Sequence, residues 1–546
     1  MRQLTALDAQ FLNVETTTTA AHVAGLAVLD SANGSVDRDA LARLLLDRVH
    51  LSPALSLRLA EVPLGLDRPY WAPDPRFDIG NHLFEQTLPA PGDDWQLAEA
   101  VGRIHARRLD RAHPLWEMHL IHGLPGDRVA VYTKVHHAAI DGISGAETLA
   151  TLLDLTPDGH LTPRRPQPPS TPPKPRGPTA PIIALSPTGH PSAADAPSAA
   201  GYRSAASEHA TTGEPAATSE PDRHDDAPGL LGMLAGAALR TAIHPVRSVQ
   251  SVVRAAGDLD AIPVVAGLPG AKLIAQAARI VSGHRPHRPE LPNLAVPRTR
   301  LNGPISARRH LSFGSVSLKD VKNVAKANDI SVNDVVMSLC ASALRSWLRE
   351  RDALPEAPLI VGVPVAVRRA KAKDLVGNQI SAMVAPMPTN LPDPWERLRE
   401  VGSAMGKAKR RFALAPATWL SELCSVLPAP VTSLATPLIF RLAGLACPPI
   451  NLIVSNVPGP QFPLYLCGGR VLSYYPLSVL TDMSGGLNIT CFSYDGMLDF
   501  GIVACPDRMD DVWGLLEHLR TALDELLDER VGDEFRDGVG VDLVAR

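Results

Sequence analysis

The sequence predicts an α/β protein of two lobes joined by a long crossover. Three observations predict it. Strand and helix patterns alternate from the N-terminus to about residue 155, and the alternation resumes from about Ser306. Between them, Thr162 to Pro228 is rich in Pro, Ala, Ser and Thr, with Tyr202 as its single aromatic residue. Such a segment buries too little apolar surface to offset the entropy of ordering it, so a disordered insertion is expected there.

In chain order, Asp127 to His136 (DRVAVYTKVH) reads as a strand, with Val129, Val131 and Val135 on one face. A loop follows, and Ser144-Gly-Ala-Glu147 has the spacing of a capping box opening a helix that runs to Leu155. Leu230 to Val281 reads as two or three short helices separated by Pro245 and Pro263. Ser331-Val-Asn-Asp334 offers an N-cap with an acid three residues on, ahead of Val335, Val336, Leu339, Leu344 and Leu348 at helical spacing. Leu359 to Val367 is a buried strand, and CFSYDGMLDFGIV is a hairpin turned at Asp495-Gly496. Val512, Leu515, Leu516, Leu519, Leu523 and Leu526 mark a last amphipathic helix. The division expected is a first lobe over 1–160, the insertion over 161–228, a helical crossover over 229–300 and a second lobe over 301–546.

Composition narrows the function. The chain has 546 residues, 45% of them hydrophobic, and a formal net charge of -4, which argues against a general nucleic-acid binder. Its 51 prolines are nearly twice the usual share of about 5%. The six cysteines all lie in the second half, without a CxxC pair, a metal-site spacing or a disulfide framework, and a reducing compartment fits. No apolar signal core opens the chain, and proline interrupts every long uncharged run, so no clean transmembrane helix is expected. A cytoplasmic protein is the default, with peripheral contact to the inner face of the plasma membrane or to lipid droplets left open. No metal site is proposed.

The segment that carries chemistry is His136-His137-Ala-Ala-Ile-Asp141-Gly142, at the end of a strand. Neutral imidazole, with an ordinary pKa of about 6.5, can take a proton at neutral pH. Neighbours on a strand point to opposite faces, so one of the two histidines reaches a substrate and the other is structural. Asp141 can hold the loop, and Gly142 allows the turn. The alternative reading is a pair of satisfied core histidines beside an ordinary Asp-Gly turn.

HHAAIDG resembles the HHxxxDG signature of CoA-dependent acyltransferases and of condensation domains in nonribosomal peptide synthesis. Further segments resemble the bacterial wax ester synthase/acyl-CoA:diacylglycerol acyltransferase family: the opening LTALDAQFLNVE, Pro114-Leu-Trp116-Glu117, Ser331-Val-Asn333-Asp334, Gly362-Val-Pro-Val-Ala-Val-Arg368, Gly377-Asn378-Gln379 and Ser455-Asn456-Val-Pro-Gly-Pro460. They span nearly the whole chain in the family's order; the insertion near 162–228 is longer than the family leads one to expect. The resemblance implies two chloramphenicol-acetyltransferase-like lobes with a central interface tunnel. It implies that His137 is the general base for attack of an acceptor hydroxyl on an acyl-CoA thioester, without an acyl-enzyme, which fits the absence of a GxSxG elbow. Asn333 is the candidate oxyanion donor; it reads equally as a polar group bonded at a helix N-terminus. Asp334 more simply supports the helix start, and Trp116 reads as core before substrate contact. Arg368, Asn378 and Asn456 are substrate-binding candidates by the same match. No cofactor is implied, acyl-CoA being a substrate.

The acceptor implied is diacylglycerol, or a long-chain alcohol for a wax ester. Two other readings stand beside it: condensation with carrier-protein thioesters, and a non-catalytic lipid-droplet-binding protein. Between Leu423 and Thr481 the only charged residues are Arg441 and Arg470. Burial between lobes explains this, as does a lipid-facing entrance. Two basic runs, Arg368–Lys373 and Lys407–Arg411, read as solvated faces that could also meet phosphates.

Overall fold

The alternating strand Arg128–His136 (β7) sits near the middle of a six-stranded sheet, and its two faces feed two different cores. The computed structural model describes residues 1–31, 36–140, 148, 151–159, 295–366, 380–414, 424, 429–446 and 448–537. On one face Val129, Val131 and Val135 pack with Leu41 and Leu45 of helix α2 (Arg38–Arg48). On the other, Ala130 and Tyr132 pack with Leu97 and Val101 of helix α3 (Asp94–His105). Each helix begins where its sequence says it should: Asp37 caps α2, and Asp93 with Gln96 forms a capping box on α3.

The order of this sheet is β12-β13-β2-β7-β6-β5, with β2 His22–Asp30, β5 Leu83–Thr87, β6 Trp116–Leu124, β12 Tyr465–Leu466 and β13 Gly469–Leu477. Two of its strands come from the far end of the chain. β13 runs antiparallel to β2, with Val471 opposite Leu29 and Leu477 opposite Ala24. The boundary near 160 therefore divides the chain but not the sheet, a correction to a second lobe made wholly of 301–546. The physical reason is pairing: without β13, the backbone of β2 would be an open edge. Periodicity says that a segment is a strand and nothing about its partner. A small sheet, β1-β4-β3 (β1 Arg2–Gln3, β3 Leu57–Ala60, β4 Tyr70–Pro73), lies beside it in sequence.

The second six-stranded sheet has the order β10-β9-β11-β14-β15-β8. Its strands are β8 His310–Ser317, β9 Leu359–Ala366, β10 Ile380–Met387, β11 Leu452–Pro458, β14 Leu487–Tyr494 and β15 Met497–Ala504. The β14–β15 hairpin turns at Asp495 and Gly496, both at positive φ (43° and 84°), as an Asp-Gly type I′ turn requires. Helix α4 (Leu318–Ala327) follows β8, and helix α5 (Val332–Arg349) opens on the Ser331/Asp334 capping box. Val335, Val336, Leu339, Leu344 and Leu348 of α5 are all fully buried. They share a core with Leu515, Leu516 and Leu519 of the last helix, α8 (Val512–Asp537). Each such side chain contributes about 1.5–3 kcal/mol of burial.

Among the described residues, two more helices separate β10 from β11. One is α6 (Pro394–Leu414), which carries the basic run Lys407–Arg411, and the other is α7 (Ala429–Ala446). α7 departs from the sequence reading, because Pro437 lies inside it and does not end it. Pro437 removes the bond to the Ser433 carbonyl, and Ser433 is exposed, so water can serve that oxygen. By length and composition alone this helix could cross a membrane, and most of it is not buried. Burial between lobes therefore does not account for this part of the uncharged region. The insertion, the helical crossover as far as residue 294, and most of the helix expected to open at Ser144 lie outside the described residues.

Candidate active site

His136 ends strand β7 and His137 opens the turn that follows. Opposite His136 in the sheet stands His22 of β2. The His137 amide donates to the Ala21 carbonyl at 2.8 Å, so the pairing of β2 with β7 continues one residue past the strand. The two imidazoles then part. His136 is buried, and its Nδ1 accepts a hydrogen bond from the Ala138 amide at 3.0 Å. That bond assigns the proton to Nε2, which faces the Glu15 carboxylate at 3.4 Å, an ion-pair distance without hydrogen-bond alignment. His137 is half-buried and stacks on Phe11, ring centroids 4.0 Å apart and planes 1° from parallel.

Glu15 and Phe11 belong to the first helix and its exit. Helix α1 (Ala6–Asn13) is closed at its start by a Thr5/Asp8 capping box, and Glu15 follows the C-cap residue, Val14. Glu15 accepts from the Ala21 amide at 3.0 Å and pairs with Arg111 at 2.9 Å. Burial alone would push its carboxyl up. His136, the Ala21 amide and Arg111 outweigh burial and bring it down to about 2, so it is ionised at neutral pH. No local pattern in the sequence marks either residue, although both lie in the stretch LTALDAQFLNVE. A lone glutamate after a helix carries no mark of the histidine it will meet.

Behind the pair lies a column of buried ionisable groups. His22 is fully buried with neither ring nitrogen hydrogen-bonded among the described residues, and burial, then the positive charge around it, pulls its pKa well below the usual value. His105 meets His22 edge to face at 4.6 Å and shares a 2.7 Å hydrogen bond with the Tyr132 hydroxyl. Burial first, and then Arg309, hold His105 at about 3. Lys134 is buried and held by the carbonyls of Arg107 and Ile104 and by Glu117 at 3.0 Å.

The second lobe contributes an amide pair. Asn333 stands in the first turn of α5, and Asn456 on β11 donates Nδ2–H to Asn333 Oδ1 at 3.5 Å, the long end of the range. Asn456 Oδ1 accepts from the Cys491 thiol at 3.2 Å. These bonds run in one direction and orient Asn333 Oδ1 as an acceptor, leaving its NH₂ as a donor. Asp334 completes the capping box and lies 3.4 Å from Lys409 of α6, so it supports the helix start, and one basic-run lysine answers it. Trp116 is buried, stacks on His82 at 4.4 Å and donates to the Leu55 carbonyl at 2.9 Å, which makes it core. Asp141, Gly142, Arg368 and Asn378 lie outside the described residues. The structure thus joins Asn333 to Asn456 in one lobe, and His136 to Glu15, with His137 alongside, in the other.

Two sheet-rich α/β lobes, with a histidine pair at the end of a central strand, define a class: the chloramphenicol-acetyltransferase-like fold. Comparisons narrow the class. Residues 4–218 and 204–336 match the wax ester synthase/diacylglycerol acyltransferase catalytic domain, and 376–527 match the C-terminal domain of the same family. A Mycobacterium tuberculosis protein, provisionally named a diacylglycerol O-acyltransferase, is 32% identical over 97% of this chain and 90% of its own length. A Mycobacterium bovis protein with a similarly provisional name is 30% identical over 95% of this chain and 97% of its own. The solved wax ester synthase/diacylglycerol acyltransferase from Marinobacter aquaeolei VT8 superposes with a TM-score of 0.60 at 26% identity, covering 96% of this chain and 98% of that one. The chain belongs to the wax ester synthase/diacylglycerol acyltransferase family and is an acyltransferase.

Proposed function

We propose that the protein makes triacylglycerol by moving a long-chain acyl group from acyl-CoA to the free hydroxyl of diacylglycerol, with His137 as general base. The observation that carries this is the division of labour between the histidines. The Nδ1 of His136 is spent on the Ala138 amide and its Nε2 faces Glu15, so it holds the turn. The neighbouring half-buried ring is then the one that meets substrate. His137 takes the acceptor's proton as its oxygen bonds the thioester carbon. Collapse of the tetrahedral species breaks the C–S bond, and the imidazolium returns the proton to the CoA thiolate. The Asn333 NH₂, oriented through Asn456, is the donor for the oxyanion, in a tunnel between the lobes. Both reactants bring their own groups, so the transfer needs no cofactor.

The names of the mycobacterial relatives favour diacylglycerol as acceptor, and that of the Marinobacter protein keeps a wax-ester-forming alcohol as the second reading. An acceptor panel with one long-chain acyl-CoA, following thiol release and lipid product, decides. Triacylglycerol from diacylglycerol with no ester from hexadecanol is the result expected; the reverse pattern overturns the choice of acceptor.

We also infer that the enzyme, in the cytoplasm, meets its acceptor at a membrane or droplet surface through α7. Val431, Leu434, Leu438, Leu442 and Leu445 form one exposed stripe on this helix, with Leu434 81% exposed. Its only charge is the exposed Arg441, a cation suited to anionic headgroups. The opposite side rests on α1, where Thr436 donates to Gln10 at 2.8 Å, one residue from Phe11. Leu434→Asp with Leu438→Asp is expected to cut co-flotation with phosphatidylglycerol vesicles several-fold; unchanged flotation discards the surface role.

A further inference from the structure

An open cleft of about 840 Å³ is cut into the first lobe, away from the amide pair of the second. Its wall includes Glu15, Phe84, Arg107, Arg108, Arg111 and Glu117. The lining thus includes the carboxylate that faces His136, one residue from His137. The lining carries the carboxylates of Glu15, Glu85, Asp110 and Glu117 and the guanidiniums of Arg107, Arg108 and Arg111, and these are not partnered alike. Glu15 is taken by Arg111 and the Ala21 amide. Glu117 is taken by Lys134 at 3.0 Å and His119 at 3.1 Å. Glu85 meets His122 at 2.8 Å, and Asp110 accepts from the Ala112 amide at 2.9 Å. Each carboxylate thus has an ion-pair or hydrogen-bond partner within the lobe.

Arg107 and Arg108 differ. Both are exposed, and among the described residues no carboxylate lies within ion-pair distance of either guanidinium. They are nonetheless held in place, since the Arg107 carbonyl accepts from the buried Lys134 at 3.0 Å. Two adjacent unanswered guanidiniums on a fixed backbone are suited to forked contacts with phosphate oxygens. In the same lining, Phe84 stacks on His119 at 4.9 Å and is 39% exposed. A flat ring with a free face beside two arginines suits a purine attached to phosphates.

We propose that this cleft binds the adenosine 3′-phosphate 5′-diphosphate end of the acyl donor. Phe84 stacks the adenine, Arg107 and Arg108 take the phosphates, and the pantetheine arm runs inward past Glu15 towards His137. The proposal rests on acyl-CoA being the donor. It assigns the specificity for a CoA thioester to a cleft in the first lobe, remote in sequence from both basic runs.

The test is calorimetric titration of the full chain with adenosine 3′,5′-bisphosphate, inorganic phosphate and phosphatidylglycerol vesicles. Wild type should bind the bisphosphate more tightly than phosphate. The Arg107→Ala/Arg108→Ala pair should bind it at least roughly tenfold more weakly. The corresponding lysine pair should recover part of the affinity. In turnover, the loss falls on KM for acyl-CoA rather than on kcat, and the preference for acyl-CoA over the N-acetylcysteamine thioester of the same acyl chain shrinks by the same factor. Wild-type affinity for the bisphosphate in the alanine pair overturns the proposal, as does a pair that loses vesicle binding alone. Because the bisphosphate titration needs no turnover, arginine-dependent binding without triacylglycerol formation upholds the cleft and overturns only the choice of acceptor.

Discussion

The two lobes share one plan, a six-stranded sheet with helices packed on it, and differ in what they bury. The second lobe encloses an apolar core around α5: Val335, Leu339, Leu344, Trp347 and Leu348 meet Leu359, Val361, Phe500 and the leucines of α8. The first lobe buries apolar side chains too, but threads a column of ionisable groups through them: Glu15, His136, His22, His105, Lys134 and Glu117. Such groups gain little net stability, because desolvation consumes most of what pairing returns. Among the described residues the second lobe buries Asp499 and Arg397 apart from one another, whereas the first gathers its groups into one connected column around its histidines. The second places the Asn333–Asn456 amide pair beside an apolar core.

Variants can break this contrast. The largest effect is expected at His137. His137→Ala should lower acyl transfer by roughly 10²–10⁴-fold with an unchanged far-ultraviolet spectrum and melting point. His136→Ala and Glu15→Gln should lower it less, since they release the turn without removing the proposed base. Equal turnover in wild type and His137→Ala would remove the histidine from the mechanism.

Trp347→Ala probes the other lobe. Trp347 is fully buried, donates to the Asp511 carbonyl at 3.0 Å and lies under Arg351 at 4.1 Å. Its loss should cost about 3–5 kcal/mol in denaturant unfolding, whereas KM at a temperature where the variant is folded should hardly move. A large KM change with little loss of stability would blur the division between the lobes.

The smallest expected effect is pH dependence, and the lobes should differ in its sign. His22 and His105 are neutral in the fold, below the ordinary histidine value of 6.5. The unfolded chain therefore takes up protons first, and stability present above pH 6.5 falls as pH drops, for His105 until about 3. Glu15, ionised down to about 2 against an ordinary 4.5, extends that loss below pH 4.5. Asp499 on β15 works the other way. Burial raises it to about 6 despite the hydroxyl of Ser315 and the amide of Tyr474, so its contribution declines as pH rises from 3.8 to 6. Melting points from pH 7 to 4 should fall, and His22→Leu, which removes a titrating group at similar volume, should flatten the slope. An unaltered slope would show that His22 is not one of the groups responsible.

Much of this was legible in the chain. The strand Arg128–His136, the Ser331/Asp334 cap, the Asp495-Gly496 turn and the leucines of α8 follow from short-range rules about faces, caps and turn dihedrals. His136 and His137 were visible because adjacent identical residues of low abundance stand out at a strand end. What was not legible depends on partners far away in sequence. Glu15 matters because β2 and β7 bring Ala21 and His136 to it across more than a hundred residues. Gly469–Leu477 falls within the span expected for the second lobe, but hydrogen bonding to β2 commits it to the first sheet. Pro437 reads as a helix breaker until the exposed Ser433 carbonyl removes much of the cost.

By itself, then, the sequence determined the α/β class, the elements, their caps and turns, and the histidine pair, because each depends on residues within a few positions of one another. The tertiary structure alone decided which histidine is held by Glu15, which lobe closes with Gly469–Leu477, and which arginines of the cleft lack a carboxylate partner among the described residues. Those outcomes turn on hydrogen bonds, burial and charge balance between distant segments, and such terms exist only once the chain has folded.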